Sequence, residues 1–506
     1  MNTFIAPLTE LKEFNEIREN IKQKNLPVQI TGCIDSQKSH LIHGLSKDVQ
    51  FKIIVTYSEL KAKEIYEDYR LYDRDVFLYP GKDIIFFSAD IRGNAIVRDR
   101  LRILSRLLEG KKTTIITTLD SGMDKVLPLK FIRDRVVTID HSSTINIQEL
   151  SSTLVYLGYE RQALVESPGD FAVRGGIIDI FPLTEEAPYR IELWGDEIDS
   201  MRVFDVDSQR SIEQKDRLVI YPAAEIILDE DCLNKGLKRI EEEMQQYVKK
   251  QREEFKTEEA ARIEGIIREF TEKIKTYQGS VPLESYIGYF HNETISFFDY
   301  FNNDQAIFFL DEPSRLVEKG EVVETEFREG MIGRLEKGYI LPGQMDVIYG
   351  YKEILSKLSK KSSIMMSTIE VKSDFFEAKH KYDITVKTAV SYHKNFKMLV
   401  QDLKRWKKDK YRVILLSSSK SRAKRLSQDL RDFDLNTFFS DDRNRILQEG
   451  EIMVSYGNLG KGFEYPSIKF AIISESDIFG NKKRKKRRKK SAYSGQKIKR
   501  YTELSP

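Results

Sequence analysis

Strands and helices alternate along the first 130 residues, and that alternation limits the possible folds more than any other feature of the chain. Lys52–Thr56 (KIIVT), Asp75–Tyr79 (DVFLY) and Thr113–Thr117 (TTIIT) are short β-branched or aromatic runs. Between them, Ser58–Asp73 reads as a helix. Ala95–Leu108 carries Ile96, Leu101, Leu104 and Leu108 at helical spacing. A helix over Leu8–Lys22 and a strand over Pro27–Ile30 precede them. Strands separated by helices argue for a parallel sheet covered by helices.

The pattern changes after about residue 135. Residues 170–222 hold closely spaced short strands with Gly and Pro between them, which predicts an inserted antiparallel α+β module. A long charged helical stretch is expected over Asp231–Gln278. Ala306–Leu310 (AIFFL) then returns to a buried-strand pattern. A further α/β unit is expected from about Ser362. It contains a helix at Lys394–Lys407, a strand at Arg412–Leu416, a helix from Ser421 and a strand at Lys469–Ile473. The predicted class is multidomain α/β.

Composition narrows the function. At 506 residues, 40% hydrophobic and 11% aromatic, the chain can fill several cores. It has no run of apolar residues long enough to span a membrane, and its mean hydropathy is −0.46. The acidic, amphipathic start does not read as a secretory signal. Cys33 and Cys232 are too few for a disulfide framework or a four-thiolate zinc site, which suits a reducing cytosol. Nine consecutive basic residues run from Lys482 to Lys490, and everything outside that run sums to −6. A protein built throughout to hold nucleic acid is therefore disfavoured, and any nonspecific DNA affinity is expected to reside in the run. Lys482, Arg484, Arg487, Arg488 and Lys490 have no aromatics between them, so the run reads first as a solvated linker.

Three motifs carry chemistry. Gly32–Ser39 (GCIDSQKS) follows a strand and opens a helix, the context of a phosphate loop. Gly32, Lys38 and Ser39 fit the pattern, but Gln37 stands where the second glycine belongs. A side chain there resists the wrap of amides around a phosphate. A decayed loop is favoured over a chance strand-turn-helix. Asp311 and Glu312 end a strand as the carboxylates of an NTPase do. Taken alone, with Pro313 following, they read better as a helix start. In Tyr189–Trp194 (YRIELW), Tyr189, Ile191 and Leu193 share one face and Arg190, Glu192 and Trp194 the other. Trp beside Arg has the composition of a protein-binding hot spot, or of a lid over a second small core. His40 and His43 read as surface or half-buried, with no metal spacing.

Gly169–Pro182 (GDFAVRGGIIDIFP), Pro188–Asp205 and Ser208–Ser211 resemble the N-terminal module of the bacterial transcription-repair-coupling factor family (Mfd). That module is itself similar to UvrB of nucleotide excision repair. Gly457–Pro466 (GNLGKGFEYP), Ser474–Gly480, the basic run and Ile498–Leu504 extend the resemblance over nearly the whole chain. It implies a UvrB-like body in two pieces, 1–132 and 223–355, whose phosphate loop is degenerate. An inserted UvrA-binding domain would occupy 133–222, a variable third α/β domain 356–478, and a basic linker 479–506. The family's UvrA-contacting positions fall on Arg174, Arg190 and Trp194, the last often Phe in the family. UvrB's tyrosine-rich damage probe is expected to be absent, because residues 81–94 hold Phe86 and Phe87 but no Tyr.

The resemblance implies a binding module that brings UvrA to lesions marked by stalled RNA polymerase, in the cytoplasm and away from membranes. It implies no catalysis and no cofactor for this chain. ATP and Mg would belong to a translocase beyond it, and polymerase and DNA would be reached through domains beyond Pro506. The family's C-terminal domain covers the UvrA surface until polymerase is engaged, so here that surface is expected to be constitutively open. The alternative is an ATP-dependent UvrB-like helicase using Lys38, Ser39, Asp311 and Glu312.

Overall fold

The computed structural model describes residues 3–82, 91–276, 283–370 and 373–480. Seven parallel strands form the main sheet. Their order is His380–Asp383, Val28–Thr31, Ser363–Met366, Ala306–Asp311, Phe51–Thr56, Thr113–Thr118 and Val76–Tyr79. Phe51–Thr56, Thr113–Thr118 and Ala306–Asp311 are buried along their whole length, as central strands of a sheet covered on both faces must be. On one face Ile53, Val55, Ile115, Phe308 and Leu310 join Phe297, Phe298 and Ile354. On the other, Ile54, Ile116, Ile307 and Phe309 meet the helices Lys12–Lys22, Asp35–Leu45 and Glu59–Tyr69.

The inserted module is reached and left through a two-stranded ribbon, Val137–Asp140 against Arg217–Ile220. Its six-stranded sheet runs Ser211–Gln214, Glu197–Phe204, Tyr189–Trp194, Ile177–Ile180, Asp170–Arg174, Glu160–Arg161, antiparallel except for the last pair. The helix Ile147–Tyr156 closes its core with Leu150 and Leu154.

The long charged stretch is two helices, Glu230–Glu253 and Thr257–Thr276, folded into a hairpin. Leu237, Ile240, Met244 and Val248 face Ala260, Ile263, Ile267 and Phe270. The break in the expected helical stretch falls where Phe255 turns left-handed, at φ +62°.

The expected start of the third unit is also corrected. Ser363–Met366 lies inside the main sheet, between Val28–Thr31 and Ala306–Asp311, and His380–Asp383 forms that sheet's edge. Both units alternate strand and helix, so local pattern does not say which sheet a strand joins. The third sheet begins with Lys387–Thr388 and continues Phe463–Tyr465, Phe470–Ile473, Arg412–Ser417, Ile452–Tyr456, Thr437–Phe439. Helices Phe396–Lys408 and Lys420–Arg431 cover one face. The other face, with Ile414, Leu416, Phe463, Tyr465 and Ile472, continues the core of the first domain.

Candidate functional site

The phosphate-loop motif sits where the fold would place a ligand, beyond the C-terminal end of Val28–Thr31 and beside that of Ala306–Asp311. A helix N-terminus attracts anions through amides that lack partners. Here five such amides are engaged. Gly32 N donates to Thr368 O at 3.2 Å and Cys33 N to Ser367 O at 3.2 Å. Gln37 N and Lys38 N both donate to Ile34 O, at 3.0 and 3.3 Å. Ile34 N donates to Gln37 Oε1 at 3.1 Å. Gly32 has φ +77°, and a Cβ on it would lie 2.3 Å from Ile384 O. Close packing against this neighbouring backbone accounts for the glycine.

Gln37 has a structural task. It is fully buried, and its Nε2 donates to Tyr465 Oη at 2.8 Å, across to the third sheet. His40 continues the chain of bonds: Nε2 lies 2.7 Å from Phe4 O and Nδ1 lies 3.2 Å from Tyr465 Oη. A carbonyl only accepts, so Nε2 carries the proton and the Tyr465 hydroxyl donates to Nδ1. His40 is thus wholly buried, contrary to its expected surface or half-buried place. Burial pushes its pKa down to about 4. A loop of the third domain lies across the same helix start. Lys461 N donates to Ser36 Oγ at 3.0 Å, Lys461 Nζ to Asp35 at 2.9 Å, and Gly460 N to Asp68 Oδ1 at 2.6 Å.

Lys38 and the Asp311-Glu312 pair do meet, 273 residues apart in sequence. Lys38 Nζ is 2.6 Å from Asp311 Oδ1 and 2.6 Å from Glu312 Oε1, with Lys38 and Asp311 buried. Burial opposes the lysine's charge, but the two carboxylates outweigh it and hold its pKa above the ordinary value. Thr56 Oγ1 donates to the other Asp311 oxygen at 2.8 Å, and Thr368 N and Oγ1 donate to Glu312. Glu312 also precedes the helix Pro313–Glu336, at φ +51°. The pair therefore starts a helix and pairs with the loop lysine. Ser39 is buried too. Among the described residues no cluster of three or more His, Cys, Asp or Glu is placed to hold a metal.

The inserted sheet presents the second candidate. Tyr189 and Ile191 are buried, and Trp194 is 84% exposed at the tip of the hairpin that turns at Gly195. The lid reading of Trp194 is excluded by that exposure. Arg190 is not a free fork. Its Nε and Nη2 hold the two oxygens of fully buried Asp179 at 2.7 and 2.9 Å, and its guanidinium lies 4.4 Å over Phe204. Arg174 pairs with the same carboxylate but keeps 44% of its side chain exposed. Asp179 escaped the sequence reading. A lone acid in the apolar strand Ile177–Ile180 (IIDI) was its one signal. Tyr465 and Gly460 had none. The basic run at 482–490, and Phe86 and Phe87, lie outside the described residues.

A parallel sheet carrying an antiparallel insert makes this a multidomain α/β protein. Residues 137–226 match the UvrB interaction domain family. The chain is similar along its whole length to transcription-repair-coupling factors: 29% identical to that of Bacillus subtilis, 26% to that of Staphylococcus epidermidis over 514 residues, and 25% to that of Staphylococcus aureus. It spans 42% of the length of each of these relatives.

Proposed function

We propose that this chain is a binding module of transcription-coupled nucleotide excision repair, a cytoplasmic recruiter of UvrA to lesions where RNA polymerase has stalled. The observation that carries the reading is the exposed Trp194 in the segment that matches the UvrB interaction domain. A large aromatic held in water at the tip of a hairpin is a typical anchor for a protein partner. Arg174 and Arg190 hold the same Asp179 carboxylate on the sheet that carries Trp194. Polymerase and DNA are further partners of the reading, reached through the longer protein that the relatives represent.

In this reading the chain turns over no ATP and holds no cofactor. The support is chemical: loop amides, lysine and carboxylates each satisfy a protein group, and Gln37 and Lys461 fill the helix start. The helicase alternative needs those same groups free. ATPase measured with and without DNA should be indistinguishable from buffer; turnover abolished by Lys38→Ala would revive the alternative.

Recruitment is tested by mixing the purified chain with UvrA and measuring association, with no polymerase present. Trp194→Ala should leave the fold intact and weaken binding by about 2 kcal/mol, roughly thirtyfold. Arg190→Ala should unsettle the inserted domain first, since Asp179 is left buried and half-paired. Unchanged affinity in Trp194→Ala moves the interface elsewhere; no association by the folded wild-type chain overturns recruitment.

A further inference from the structure

The net charge of +3 conceals a division between domains. Residues 1–383 hold 53 Lys and Arg against 67 Asp and Glu, while residues 384–480 hold 18 against 12. The third domain is therefore basic, next to a body that is strongly acidic. Its positive charge is gathered on one face. Helices Phe396–Lys408 and Lys420–Arg431 carry ten Lys and Arg and two Asp between them. Both bury their apolar stripe in the same core, through Leu399, Leu403 and Trp406 on one and Ala423, Leu426 and Leu430 on the other. Their charged sides consequently face solvent together.

Some of these cations have local partners. Arg405 pairs with Asp402 at 2.9 Å, Arg422 with Glu475 at 2.7 Å, and Lys420 with Asp441. Lys397, Lys404, Lys408 and Arg425 are exposed and have no acidic partner among the described residues. Gathering unpaired like charges costs electrostatic free energy that only an opposing charge recovers.

We propose that this helical face holds the phosphate backbone of double-stranded DNA without regard to sequence. A protein partner would be expected to find a buried aromatic anchor at the centre of the patch. The large apolar groups here, Met398 and Phe433, are each only 39% exposed. Spread lysines act as point charges toward a lattice of phosphates. The geometry of the chain's exit adds a second argument. Lys394 N donates to Ile478 O at 2.8 Å, so the last described turn, Glu475–Phe479, lies beside the start of helix Phe396–Lys408. The basic run that follows in sequence is therefore tethered at this domain and not at the acidic body.

The test uses the full chain and a fluorescent 30-base-pair duplex of arbitrary sequence, with anisotropy read across a salt series. The first variant is Lys397→Ala, Lys404→Ala, Lys408→Ala and Arg425→Ala together; the second replaces Lys482–Lys490 by serine. All four alanine sites are exposed, so circular dichroism should show an unchanged fold. The expected result is a salt slope lowered by up to about 3.6 in the first variant, at roughly 0.9 for each phosphate no longer neutralised, and an equal weakening on duplexes of unrelated sequence. Polyglutamate at equal charge should compete weakly. A wild-type slope in the first variant, with binding abolished only in the second, overturns the proposal. So does competition by polyglutamate equal to that of DNA, which would mark an acidic-protein surface, and so does a wild-type chain that binds no duplex at low salt.

Discussion

Lys38 holds the position of a phosphate-loop lysine and pairs with carboxylates of its own chain. In a working phosphate loop its ammonium would meet a nucleotide; here it neutralises two carboxylates of its own chain. Removing one partner from a buried ion pair leaves an uncompensated charge. Lys38→Met should therefore destabilise the fold by about 3–5 kcal/mol, read from the midpoint of urea unfolding. A neutral result would mean that water or another cation reaches Asp311. His43 offers a test at another pH. Its ring stacks on Tyr72 at 5.5 Å, its Nδ1 is buried without a partner, and burial pushes its pKa down to about 3. The depressed folded value means that the unfolded chain takes up the proton first. Stability from this group is present above about pH 6.5 and lost as the pH falls toward 3. His43→Phe removes the titration. Relative to wild type it should gain about 2 kcal/mol between pH 7.5 and pH 5, measured by denaturant unfolding at both. No change in the difference would place His43 in water.

Elements report where local pattern and tertiary demand part. The helical hairpin turns at Phe255, which is 92% exposed and left-handed at φ +62°. A side chain there strains the backbone and buries nothing. Phe255→Gly should stabilise the chain by up to about 1 kcal/mol, seen as a higher urea midpoint. A lower midpoint would show that the ring packs in solution. The Tyr189–Trp194 strand behaves oppositely. Its alternation was legible residue by residue, because one register fixes every second side chain toward the core. What the alternation could not disclose is that Arg190 faces Asp179 on the neighbouring strand, where cross-strand pairing makes the two one unit. Thermal unfolding followed at the inserted domain should thus show Arg190→Ala well below wild type and Trp194→Ala within experimental error of it.

At the scale of the whole molecule, the third domain is built onto the first. Ile414, Leu416, Tyr465 and Ile472 share a core with Leu41, Ile42 and Tyr69. Gln37 and His40 reach Tyr465, and Asp68 reaches Gly460. Gln37, which stands where a phosphate loop has its second glycine, also fastens the two units together. Gln37→Gly should then fail to confer nucleotide binding and should weaken the joint by about 1–3 kcal/mol, as Tyr465 loses its donor. Isothermal titration with ATP checks the first outcome and denaturant unfolding the second; measurable ATP binding by Gln37→Gly would show the site is masked by one side chain alone.

Residue order was enough to place the alternating strands and helices, the antiparallel insert, the face on which Trp194 stands and the departure at Gln37. All of these follow from spacing among near neighbours, which backbone geometry converts directly into structure. Only the folded chain shows that Ser363–Met366 belongs to the first sheet, that Lys38 meets Asp311 and Glu312, that Arg190 is held by Asp179, and that the basic helices share one face of a domain next to an acidic body. Each of these depends on which distant segments pack together. That choice is set by the burial of whole faces, and no local pattern records it.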